Sequence, residues 1–81
     1  MTDRDDAPGS PQDVWHLVER ADEFVKYAQN RDPARAYAQA RETLSRAMEA
    51  ANRLEDRGAA ESISAQITRR LEDLDRLEAA P

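Results

Sequence analysis

Eighty-one residues suffice for one small domain. The chain has no Cys and one His, so disulfides, thiolate metal sites and multi-His zinc sites are excluded. Seventeen Asp and Glu stand against 12 Lys and Arg, for a net charge of -5, and this balance argues against a nucleic-acid partner.

The first residues, Met1 to Gly9, mix Asp, Arg, Ala, Pro and Gly without apolar periodicity. Such a segment buries too little surface to offset its ordering entropy, so residues 1–10 are expected to be a disordered tail. Acidic Asp3, Asp5 and Asp6 also differ from the basic start of a signal peptide. No stretch reaches the roughly 20 apolar residues of a membrane span. No membrane association is expected, and the expected compartment is the cytoplasm.

Order is expected to begin at the end of the tail, where Ser10 can cap, Pro11 has no amide hydrogen to lose, and Asp13 follows three after the cap. Val14, Val18, Ala21, Val25 and Ala28, flanked by Leu17 and Phe24, form the apolar stripe of a first helix over about 11–30. Asp32 and Pro33 repeat the start signal for a second helix over about 33–57. Its core positions fall seven apart, as Tyr37, Leu44 and Ala51 and as Ala40, Ala47 and Leu54. Gly58, preceded by Arg57, reads as its stop in a left-handed cap.

Ile63, Ile67, Leu71, Leu74 and Leu77 mark a third helix over about 60–78. If helices two and three were one rod, their apolar faces would point roughly 150° apart at about 100° per residue. A turn at Gly58, Ala59 and Ala60 lets both faces point inward, whereas a rod needs a second chain to cover it. The expected fold is therefore all-α: an antiparallel three-helix bundle with short connections, covering residues 11–79.

The charged residues read as a solvated surface. Glu42 and Arg46, Glu49 and Arg53, and Glu72 and Arg76 are each four apart, a spacing that supports exposed helices by a few tenths of a kcal/mol. Eleven of the 12 basic residues are Arg and 15 residues are Ala, a pairing that a GC-rich bacterial genome produces. The Arg preference is thus read as codon bias before anion recognition.

Chemistry finds little material. His16 has Glu19 and Glu23 three and seven residues on, but carboxylate-bridged bundles need a second Glu-x-x-His motif that is missing. No Gly-x-Ser-x-Gly elbow occurs, and Gly9 and Gly58 are too few for a phosphate loop. No catalytic residue, cofactor or metal is expected.

Contact residues are better represented. Ala36, Ala40, Thr43, Ala47 and Ala50 lie along one ridge of helix two, ending on Leu54, and small side chains let a neighbouring helix approach closely. That neighbour is either another helix of this chain or, if part of the ridge lines an open groove, an amphipathic helix of a partner. Trp15 and Tyr27 sit beside the stripe of helix one, as core-edge packing or as contact residues. These seven residues are the candidate partner-binding set.

Leu17, Ala21, Val25, Lys26 and Ala28 with Asp32, then Tyr37-x-x-Ala40-x-x-x-Leu44-x-x-Ala47-Met48, then Ile67, Leu71, Leu74, Arg76 and Glu78 resemble the microtubule-interacting and transport (MIT) domain over residues 14–78. Departures are Leu44 in place of a second aromatic and Pro33 starting the helix, with Tyr37 a turn inside it. Tetratricopeptide hairpins share the Tyr and Ala spacing. Either resemblance implies peptide or protein binding without catalysis, and the first implies grooves beside the last helix. The expected function is thus a small interaction module that binds a partner's helical segment. Its alternatives are a self-associating structural protein, as a homodimer or larger homo-oligomer, and an acidic regulator that masks a basic partner surface.

Overall fold

The computed structural model describes residues 10–30 and 32–79. Three α-helices, α1 (Pro11–Lys26), α2 (Pro33–Asn52) and α3 (Arg57–Ala79), are joined by short links, with one 3-10 turn at Ala28–Asn30. Among the described residues there is no strand, and no helix is long and apolar enough to cross a membrane. Of the expected tail, residues 1–10, residues 1–9 lie outside the described residues, and Ser10 belongs to the fold as the cap of α1.

The two proline-marked starts form as the sequence dictates. Ser10 is extended, and its side chain accepts from the Asp13 amide at 3.2 Å. Asp32 does the same for the Arg35 amide at 3.3 Å, with Pro33 in the first turn.

The helix ends differ from expectation. Helix one stops at Lys26, not at Asn30: the Tyr27 amide still donates to the Glu23 carbonyl, and Ala28–Asn30 then tighten into a 3-10 turn. The reversal is a tight one, with the Asn30 amide donating to the Tyr27 carbonyl at 3.1 Å, and it tucks Ala28 fully into the interior. Helix two ends at Asn52, five residues before the expected Arg57. There the Arg53 and Leu54 amides donate to the Ala50 and Ala51 carbonyls, each at 3.1 Å, so the last turn tightens before the helix breaks.

Gly58 does not stop helix two. Asp56 starts helix three instead: its carboxylate accepts from the Ala59 amide at 3.0 Å and its carbonyl from the Ala60 amide at 2.9 Å. Gly58 therefore lies in the first turn of α3, and no described glycine has positive φ. A Cβ at Gly58 would meet only Asp56 Oδ1, at 3.5 Å, which is ordinary contact. Gly58→Ala is accordingly expected to stabilise the fold by about 0.3–1 kcal/mol through reduced unfolded-state entropy and better helix propensity. A left-handed cap would instead make it destabilising, so the sign of the shift in a urea melt decides between the two geometries.

Helix direction follows from the ion pairs. Arg41, midway along α2, donates to Asp75 Oδ1 at 2.9 Å and to Glu78, both near the end of α3. With the end of α2 and the start of α3 tied by a four-residue link, these helices run in opposite directions. Asp22, late in α1, is forked by Arg70 Nε at 2.9 and 3.2 Å, which sets α1 beside the later half of α3. The two hydrogen bonds hold the Arg41 guanidinium above the usual arginine range, so it stays charged.

The core is built around α2. Val14, Val18 and Ala21 from α1 and Ile63, Ile67 and Leu74 from α3 close on Ala40, Leu44, Ala47, Ala50 and Ala51, with Leu54 sealing the link. Both outer helices lie mainly against α2 and touch each other little. Alanine at four of the buried α2 positions is what admits a helix on each flank. Of the expected core residues, Val25, Tyr37 and Leu71 are only half-buried against it, and Leu77 is 41% exposed.

Candidate functional site: a groove between the first two helices

The candidate contact residues divide sharply by burial. Ala40, Ala47 and Ala50 are at most 5% exposed and enclosed by the chain's own helices, so the centre of the alanine ridge is an internal packing surface. Leu54, at its end, is buried too. Thr43 is half-buried and its hydroxyl donates to the Gln39 carbonyl at 2.9 Å, a local bond that leaves it little to offer a partner. Trp15 is half-buried against the core, as core-edge packing requires.

Two candidates face outward together. Tyr27 is 55% exposed, the highest among the large apolar side chains of the described residues, and Ala36 is half-buried. They line the same open groove, of about 1030 Å³, between the last turns of α1 and the first turns of α2. Their meeting follows from the local structure: the 3-10 turn reverses the chain in a few residues, which lays the end of α1 against the start of α2. Phe24, half-buried, contributes a second aromatic ring. Lys26 Nζ stands over the Tyr27 ring, 5.6 Å from its centre, in a cation–π contact, although Lys26 itself lines the smaller groove and not this one.

Arg20 from α1 and Arg35 from α2 also line this groove, and neither side chain has an ion-pair partner among the described residues. Of the two carboxylates in the lining, Asp32 is engaged in capping α2 and Glu23 is exposed. Neither arginine stands out in the sequence. Their signal was only that Arg20 and Arg35 lack a carboxylate four residues before them, unlike Arg46 or Arg53.

A smaller groove of about 310 Å³ lies between α1 and α3, with Val25, Leu44, Leu74 and Leu77 in its apolar lining. Its rim charges are largely satisfied within the chain, Asp22 by Arg70 and Asp73 by Arg76. His16, the only imidazole, is exposed on α1, and no group of three or more His, Asp or Glu among the described residues could hold a metal ion. Comparison with protein-family models, curated proteins and solved structures finds no match to this chain, so the MIT-like and tetratricopeptide-like resemblances rest on residue spacing alone.

Proposed function

We propose that this chain is a small, non-catalytic interaction module, working in the cytoplasm, that holds a helical segment of a partner protein in the groove between α1 and α2. The observation that carries the reading is Tyr27, left 55% exposed at the mouth of an open groove with a half-buried aromatic and an alanine beneath it. Aromatic anchors beside a small-residue floor suit the apolar face of an amphipathic helix. The lining offers arginines, carboxylates, amides and aromatic rings, with no nucleophile paired to a base. Binding therefore needs no cofactor or metal.

Selection of helical peptides from a display library on the immobilised full chain tests the reading. Amide shifts induced in the labelled protein by a selected peptide are expected to centre on Phe24, Tyr27 and Ala36. Ala36→Arg, on a half-buried site whose long side chain can reach solvent, is expected to keep the fold and weaken binding at least about tenfold. Shifts confined to Val25, Leu74 and Leu77 would move the site to the other groove. A concentration-dependent dimer in light scattering, with shifts at Tyr27 on self-association, would replace a foreign partner by a second copy.

A further inference from the structure

The third helix is held by different means along its length. In its first half, Ile63 and Ile67 are at most 1% exposed in the core. Over its last ten residues, 70–79, only Leu74 is fully buried, Leu71 is half-buried and Leu77 is 41% exposed. The ion pairs that tie α3 to its neighbours gather on this second stretch: Arg41 of α2 reaches Asp75 and Glu78, and Arg70 reaches Asp22 of α1.

The carboxylates in this stretch are unfavourable to the helix itself. Residues 72–79 carry Glu72, Asp73, Asp75 and Glu78 against one cation, Arg76, at the end of α3 where the helix dipole favours positive charge. Arg76 pairs with Asp73 at 3.4 Å, so Asp75 and Glu78 draw their compensation from Arg41 on α2. Glu72, Asp75 and Glu78 also follow at steps of three, close enough on a helix to repel one another once Arg41 is gone. Docking and helix formation here support each other.

We propose that residues 70–79 form a charge-latched strap, which unwinds and leaves α1 and α2 as a unit when Arg41 and Arg70 lose their carboxylates, while Ile63 and Ile67 keep the first half of α3 docked. What the strap covers is apolar. Its departure uncovers Ala21, Val25 and Leu44, which line the smaller groove together with Leu74 and Leu77. Exposure of that strip then follows ionic strength, because the paired side chains are 28–70% exposed and screened by salt, as buried apolar contacts are not.

Native-state hydrogen exchange of the full chain in low urea tests the strap. Amides of residues 72–77 are expected to exchange through an opening that depends little on urea, while those of Ile63 and Ile67 follow the steep urea dependence of global unfolding. Raising NaCl from about 50 to about 500 mM is expected to speed exchange of residues 72–77 at least about threefold. Arg41→Glu is expected to speed it by at least as much, and in the Asp75→Arg/Glu78→Arg background the same substitution is expected to slow it by about threefold, a reversal of sign that only a charge contact produces. One urea slope and one level of protection throughout α3 would overturn the strap, since the helix would then open only with the whole fold. A separate opening of residues 72–77 that neither salt nor the charge at position 41 moves would be ordinary fraying of a helix end, and would overturn the latch.

Discussion

Ala47→Glu is expected to abolish the cooperative melt of this domain. Ala47 is fully buried in α2, in the ridge against which the other helices close. A glutamate there must either leave an unpaired carboxylate in the interior or push a helix away, and each alone costs several kcal/mol. The described fold has about 70 residues and stability on the order of 4–10 kcal/mol, so the substitution removes most or all of it. Circular dichroism should show a shallow, non-cooperative loss of helix, while Ala34→Glu, exposed in the first turn of α2, melts like the wild type. A normal transition in Ala47→Glu would mean that the ridge is not internal.

Leu44→Ala is expected to destabilise by about 3–5 kcal/mol, near the upper end for such truncations. Its neighbours explain the size. Leu44 is 1% exposed, and the other α2 positions at less than a tenth of full exposure are all alanine, which leaves half-buried Met48 as the one large apolar side chain of that helix within a turn of the space. The cavity opens beside Ala21 and Leu74, where α1 and α3 already touch little. Urea unfolding should show a lowered midpoint with an unchanged slope. Leu77→Ala, at 41% exposure, should shift the same midpoint by less than about 1 kcal/mol. Equal effects at both positions would contradict the placement of Leu44 at the centre.

Local signals were the most readable from the chain. Ser10-Pro11 and Asp32-Pro33 act within four residues, and both helix starts form where those pairs place them. Periodicity also found the buried stripes, because a helix face is fixed by its own residues. The end of helix two was misplaced because Gly58 is the conspicuous breaker, while Asp56, two residues earlier, is an ordinary charged residue until its carboxylate is seen on the Ala59 amide. Leu77 fits the apolar stripe as well as Leu74 does. Only the tertiary packing separates them: Leu74 is buried in the core, and Leu77 stays 41% exposed at the α1–α3 groove.

The groove was half legible. Tyr27 and Ala36 drew notice for their own properties, one as an aromatic off the main stripe and one as a small residue on a ridge. Arg20 and Arg35 are fifteen residues apart on different helices, and composition explained them as part of a general arginine excess. Their proximity comes from the chain reversal at Ala28–Asn30, a tertiary event with no pattern of its own.

The central position of α2 has a consequence for how the molecule forms and comes apart. Because α1 and α3 each rest on α2 and only lightly on one another, nearly every stabilising interface is between consecutive helices. The fold is two helical hairpins sharing an arm, with low contact order, which places it among topologies that assemble in microseconds to milliseconds. Either outer arm can detach for a moment while the other hairpin persists. The protein thus has two routes of partial opening, and the shared arm is the last to surrender its backbone amides to solvent.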